Sequence, residues 1–240
     1  DEGIGVHEQC EGFTTLREWN FTEETAYPLL LHESYVRLYP AQVIKQADLI
    51  LAMHWQGHAF TSEQKARNVD YYEPRMVRDS SLSAATQAVL CAEVGHLELA
   101  HDYAYEAALI DLRDLHHHTR DGLHMASLAG AWTALVAGFG GLRDDEGVLA
   151  LDPQLPDEIT RLRFRLRWRG FRISVDADHD LVEYTLRRDD DDNGTLTIRH
   201  AGADLELSTE SSVTVRLVPR RPMLPTPRQP PGRTPLRRLR

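Results

Sequence analysis

"GLRDDEGVLALDPQLPDEITRLRFRLRWRG", Gly141 to Gly170, is where the chain changes its period and with it its architecture. Its second half, "LRFRLRWRG", alternates apolar residues with arginine, the spacing of an antiparallel strand that buries one face. "FRISVDA", "LVEYTLRR", "TLTIRH", "DLELST" and "SVTVRLVP" follow, punctuated by "DHD", "DDDDNG" and "HAGA". About six short strands separated by turn-forming residues predict a small antiparallel β-sandwich or jelly roll over residues 146–219. The arginines and glutamates on the alternate positions read as a solvated sheet face.

Upstream of this boundary the period is helical. "AQVIKQADLILAMHWQG" sets Val43, Ile44, Ala47, Ile50, Leu51 and Trp55 at helical spacing, with Gly57 as a stop. "SLSAATQAVLCAEVG" opens on good cap residues and ends at Gly95, and "HLELAHDYAYEAALIDL" follows almost without a connection, so the two should form an antiparallel hairpin. "DGLHMASLAGAWTALVAGFGG" reads as a further helix capped by Asp121. Its small residues Ala126, Gly130, Ala134 and Gly138 recur every four positions. Such a stripe admits a neighbouring backbone, the commoner use, or a ligand. Before Pro40 the chain is aromatic-rich and mixes loops with short helices.

Composition narrows the function classes. Hydrophobic residues make up 42% and charged residues 27%, enough for a substantial core. The net charge of −10 hides an asymmetry: residues 220–240 hold seven arginines and no acid, leaving 20 basic against 37 acidic residues, or −17, for residues 1–219. So acidic a body repels phosphate backbones, which argues against nucleic acid as a partner. The Pro/Arg-rich end has too little apolar content to fold and is expected to be a disordered tail. No apolar run approaches bilayer-spanning length, and the acidic N-terminus carries no signal-peptide core. Cys10 and Cys91 are far apart and in no metal-binding arrangement, so two reduced thiols in a cytoplasmic protein are expected. Lacking a starting Met, the chain reads as a processed product or a fragment.

Three stretches could carry chemistry. Lys45 and Gln46, in "VIKQADLI", place a rare lysine beside an amide, a pair able to hydrogen-bond sugar hydroxyls or a phosphate; a solvated surface pair fits as well. In "YYEPRMVRDSSLS", Arg75 and Arg78 flank Ser80, Ser81 and Ser83 at a helix start, an arrangement suited to an anion or simply an N-cap. "DLHHHTRDGLHMASLAG" contains four histidines, but consecutive His116, His117 and His118 diverge on either a helix or a strand, and no zinc template is met. His124, in the first turn of the small-residue helix, can point at an anion alongside Ser127. Glu8 and Glu73, in aromatic and turn-rich surroundings, are the carboxylates considered for acid–base work, with a structural role the more frequent use of such residues.

"KQAD", "YYEPRMVRDSSLS", "TQAVLCAEVGHLELAHDY", "DLRDLHHHTRDGLHMASLAGAW", "VAGFGGLRD" and "FRLRWRG", in this order, resemble the C-terminal half of glycoside hydrolase family 65. The family includes disaccharide phosphorylases acting on maltose, trehalose, kojibiose or nigerose. The resemblance implies an α+β multidomain fold. The C-terminal part of an (α/α)6 catalytic barrel, a six-hairpin toroid, would occupy residues 1–145, with a small antiparallel β-sandwich after it. It implies inverting cleavage of an α-glucosyl disaccharide with inorganic phosphate as co-substrate and no cofactor or metal. An acid protonates the glycosidic oxygen while phosphate attacks the anomeric carbon. By the same resemblance Lys45 and Gln46 correspond to the sugar-binding pair, and Arg78, Ser80, Ser81, His124 and Ser127 to the phosphate side. The family's general acid lies upstream of the "GVHEQ" stretch, so no catalytic acid is expected within residues 1–240, and the chain alone should be inactive. A hydrolytic, trehalase-like member and a non-catalytic sugar-binding remnant are the alternatives; a homodimer is possible for the full-length enzyme.

Overall fold

The computed structural model describes residues 1–115, 117, 119–188 and 193–236. It divides into two compact units, residues 1–134 with 221–240, and residues 135–220. The division thus falls at the end of the last long helix, earlier than the boundary expected at residue 145.

In the first unit two short turns of helix, α1 (Leu29–His32) and α2 (Tyr35–Leu38), precede α3 (Asp48–Trp55), α4 (Ser62–Tyr72), α5 (Ser83–Glu93), α6 (Leu97–Leu109) and α7 (Met125–Thr133). α4 starts on a capping box, in which the Thr61 hydroxyl accepts from Gln64 N–H while the Gln64 side chain accepts from Thr61 N–H. α5 and α6 form the expected hairpin, turning at Gly95 with a left-handed φ of 93°. Tyr72, Tyr103, Leu29, Met53, Met76 and Leu90 are the largest fully buried side chains of this unit.

The long helix expected from Ala41 to Gly57 begins only at Asp48. Ile44 N–H donates to Arg75 O (2.8 Å) and Ile44 O accepts from Val77 N–H (2.9 Å), an isolated parallel bridge that keeps Ile44 out of a helix. The apolar pattern there is that of a strand-like segment buried on one side, which short windows do not distinguish from helix. Likewise Asp121 does not cap α7. It ends a separate turn, Thr119–Asp121, and His124 occupies the N-cap. The small-residue stripe serves packing: a Cβ added at Gly130 would lie 2.5 Å from the Ala85 Cβ on α5. α7 then passes into a π-helical turn, Ala134–Phe139.

The second unit is a sandwich of two sheets. Strands β2 (Leu162–Trp168), β3 (Phe171–Ala177), β4 (Leu181–Arg188) and β7 (Val213–Arg216) form one, in the order β2-β3-β4-β7 and antiparallel throughout. β1 (Ala150–Leu151), β5 (Thr195–His200) and β6 (Ala203–Ser208) form the other, in which β1 pairs parallel with β5, so this sheet is mixed rather than purely antiparallel. Ile173, Val175, Val182, Tyr184 and Leu186 of the first sheet pack with Leu151, Ile198 and Leu207 of the second. Two hairpins turn on paired left-handed residues, Arg169–Gly170 (φ 49° and 80°) and Ala201–Gly202 (φ 46° and 86°). These are two-residue loops whose twist matches that of the strands.

The tail expected to be disordered takes a different course through Leu236. Pro227, Pro230 and Pro235 are buried against the first unit, to which the segment belongs. No helix among the described residues is long and apolar enough to cross a membrane.

Candidate functional site

A cleft of about 400 Å³ opens in the first unit, with Gln9, Tyr35, Tyr39, Lys45, Gln46 and Asp79 on its walls. Lys45 and Gln46 follow the Ile44 bridge in a bend that leads into α3, rather than on a helix. Lys45 is exposed and Gln46 half-buried.

Gln46 is fixed from three sides. Its Oε1 accepts from the Ser80 hydroxyl (2.8 Å), its Nε2 donates to Asp48 Oδ1 (2.6 Å), and its backbone carbonyl accepts from Gln9 Nε2 (3.3 Å). Gln9 Oε1 in turn accepts from Leu49 N–H at 3.1 Å, so the "HEQC" stretch ties the start of α3 to the cleft. The fold thus brings two of the predicted stretches together at one hydrogen bond, Ser80 to Gln46. Ser83 Oγ donates to Lys45 O at 3.4 Å, a second link between the same stretches. Ser81 is half-buried on the same loop.

Arg78 does not reach this wall. Its backbone is left-handed (φ 51°), its side chain is buried, and Nε lies 3.2 Å from Glu106 Oε1 while the guanidinium stacks 5.0 Å from the Tyr103 ring centroid. Behind it, Glu73 is enclosed: Tyr103 Oη donates to Oε2 (2.6 Å), Gln87 Nε2 to Oε1 (2.6 Å) and Gln229 Nε2 to Oε2 (3.2 Å). Burial pushes the Glu73 carboxyl up and the Tyr103 phenol well up, against the donors that favour the charged carboxylate. Glu8 accepts from the Thr14 hydroxyl (2.7 Å) and from the N–H groups of Thr14 and Gly12, which hold its carboxyl below the usual range. Both carboxylates therefore order local structure.

His124 and Ser127 lie at the start of α7. His124 Nδ1 is 2.6 Å from Asp111 Oδ1, and its backbone N–H donates to Asp111 Oδ2 (2.9 Å). Asp111 is held below the ordinary carboxylate range, first by the His124 side chain. Ser127 is buried, with Oγ 3.4 Å from Ala107 O on α6. Neither lines the Lys45–Gln46 cleft. His117 is exposed, 3.8 Å from Asp114; His116 and His118 lie outside the described residues. Among the described residues no group of three or more metal-type ligands is assembled.

Sequence reasoning missed Asp79, Glu106, Gln9 and Asp111. Asp79 and Asp111 stand next to or within the stretches already singled out, but only their distant partners, Leu30 (Leu30 N–H to Asp79 Oδ2, 3.1 Å) and His124, reveal their use.

Residues 1–133 match the glycosyl hydrolase family 65 central catalytic domain and residues 142–207 the family's C-terminal domain. An uncharacterized glycosyl hydrolase of Mycobacterium leprae is 74% identical over 238 residues, 99% of this chain and 30% of that protein. The alpha,alpha-trehalose phosphorylase of Thermoanaerobacter brockii is 40% identical over 163 residues, 68% of this chain and 21% of the enzyme. A solved structure described as a kojibiose phosphorylase from the human microbiome superposes with a TM-score of 0.82 at 28% identity, covering 91% of this chain and 32% of that one. The chain thus spans about a third or less of the length of these relatives.

Proposed function

The chain belongs to glycosyl hydrolase family 65, and from that premise we propose that it supplies the sugar- and phosphate-facing wall of an inverting disaccharide phosphorylase. Its helices form the later hairpins of an (α/α)6 barrel. The observation that carries the reading is the Ser80–Gln46 hydrogen bond at the cleft, which couples the Lys45–Gln46 pair to the "RDSSLS" loop. Lys45 and Gln46 hold the glucosyl hydroxyls. The hydroxyls of Ser80 and Ser81, with His124 and Ser127 at the start of α7, form the phosphate side, and Arg78 braces that side from behind through Glu106.

In the reaction a phosphate oxygen attacks the anomeric carbon as the glycosidic bond breaks, and the leaving oxygen takes a proton from a carboxylic acid on the opposite face. That acid comes from outside residues 1–240. Glu8 and Glu73 are consumed by their own donors, and on the cleft wall Asp48 accepts from Gln46 while Asp79 accepts from Leu30 N–H.

The polypeptide carrying the full catalytic unit is incubated with trehalose, maltose, kojibiose and nigerose, with and without phosphate. Release of β-glucose 1-phosphate that depends on phosphate is expected. Free glucose produced without phosphate would establish a hydrolase instead. β-Glucose 1-phosphate from the 240-residue chain alone would place the acid within it.

A further inference from the structure

The Pro/Arg tail lies outside both matched family domains, which end at residue 207, yet the Mycobacterium leprae relative aligns with 99% of the chain and hence into the tail. In the structure the tail is seated through specific polar contacts. At Gly95 a Cβ would lie 2.8 Å from Pro222 N, so the α5–α6 turn admits the tail only because it is glycine. Further on, Pro230–Arg233 forms a tight turn: Arg233 N–H donates to Pro230 O (2.9 Å) with Gly232 at φ 75°. Pro at the second position and a left-handed Gly at the third are the requirements of a type II turn. Tyr27 Oη fixes this turn by donating to Pro231 O at 2.9 Å.

The turn presents Arg233 to the buried side chain of Asp79. From the "RDSSLS" loop one guanidinium, Arg78, faces the buried Glu73 and the partly buried Glu106, whereas the buried side chain of Asp79 feels Lys45 from the cleft wall. Arg233 brings a second: its Nη2 lies 3.8 Å from Asp79 Oδ1, and its guanidinium stacks 4.9 Å from the Tyr27 ring centroid. The flanking tail residues serve the other two acids. Gln229 Nε2 donates to Glu73 and Leu236 N–H to Glu106 Oε2, at 3.2 and 3.0 Å. Asp79 is the relay to the cleft, since its second oxygen accepts from Leu30 N–H and the next residue, Ser80, holds Gln46. Burial pushes the Asp79 carboxyl up, and burial together with the neighbouring Arg78 charge pushes the Arg233 guanidinium down, while the Asp79–Arg233 attraction opposes both shifts.

We propose that residues 222–236 are a strap built into the fold and that Arg233 is a positioning residue, fixing the cleft wall at Leu29–Leu30 and the Ser80 loop through Asp79. This assignment stands apart from the choice between phosphorolysis and hydrolysis.

The test is amide hydrogen exchange by NMR on the intact chain. In the wild type, Arg233 and Leu30 N–H are expected to be protected. Arg233→Gln should speed exchange at Leu30 about tenfold, the loss of one buried charge-assisted contact. Arg233→Lys should restore it to within about twofold, because a cation returns at the same place. Gly232→Ala changes no charge but strains the turn, and should loosen Leu30 in the same direction. Arg228→Gln, on an exposed arginine of the same segment, should leave Leu30 unchanged. Unprotected Arg233 N–H in the wild type, an unchanged Leu30 in Arg233→Gln, failure of lysine to rescue, or an equal effect of Arg228→Gln would each overturn the proposal.

Discussion

Gly130→Ala tests the packing that positions α7. In an isolated helix the substitution is favourable by about 1 kcal/mol, because glycine loses more backbone entropy. Here the new Cβ would lie 2.5 Å from the Ala85 Cβ, whereas carbon atoms rest about 3.5–4.0 Å apart. Ala85 has no rotamer to change, so α5 and α7 must separate by about 1 Å. α5 cannot yield cheaply, with Ala84, Ala85, Ala88 and Val89 all buried. Ser127, already 3.4 Å from Ala107 O, would lose that contact. Overpacking of this kind costs about 1–3 kcal/mol. Set against the propensity gain, the net expectation is a destabilisation of about 1 kcal/mol, or about 2–4 °C in Tm for a chain of this size. Urea unfolding measures it, with Ala85→Gly as the second arm of a double-mutant cycle. The double variant should recover about 1–2 kcal/mol relative to the sum of the single effects, because removing the Ala85 Cβ vacates the contested space. A raised urea midpoint for Gly130→Ala with no coupling would show that the helices are not in contact there.

Ser80→Ala removes the donor to Gln46 Oε1. It should weaken glucoside binding by the full catalytic unit about tenfold while leaving the unfolding midpoint nearly unchanged, as titration and melting together would show. Tyr103→Phe takes one donor from Glu73 and leaves Gln87 and Arg78 facing carbon. A loss of about 1–3 kcal/mol in urea unfolding is expected, and a neutral result would mean that the Glu73 cluster is hydrated. Asp111 is depressed in the folded state mainly by His124. Its stabilising contribution is therefore fully present above the unfolded carboxylate value and is lost as pH falls through the lower folded one. Protection of the His124 N–H, taken against its intrinsic exchange rate, should fall once the pH drops below the ordinary carboxylate range in the wild type. Asp111→Asn should already show fast exchange at neutral pH, and a flat profile in the wild type would remove the pair from the account.

The β unit was legible because its information is local. Alternation in "LRFRLRWRG" and the left-handed pairs Arg169–Gly170 and Ala201–Gly202 determine register without reference to distant residues. The stretch around Lys45 was misleading for the opposite reason. Val43 and Ile44 fit a helical face as well as a buried strand, and the choice is made by hydrogen bonds to Arg75 and Val77, some thirty positions away. The tail combines both cases. "PPGR" carries its turn in plain view, as proline and glycine in the order a type II turn demands. The acids that receive it come from two distant stretches, Glu73 and Asp79 from one and Glu106 from another, and composition alone therefore made the segment look too polar to settle.

Arg78 shows most sharply what a linear reading lacks. An arginine two positions before a serine pair has the composition of an anion site, and nothing nearby in sequence contradicts that. In the fold it meets Glu106 and Tyr103, with Glu73 close enough to be felt electrostatically. A guanidinium already balanced by a buried carboxylate gains little from a phosphate that must displace it, since separating a buried pair leaves an uncompensated charge. Lys45, exposed on the cleft, carries no such cost. The cation with the more suggestive neighbours in sequence is thus the less available one in space, and an arginine can be assigned to a ligand only after the acids buried around it have been counted.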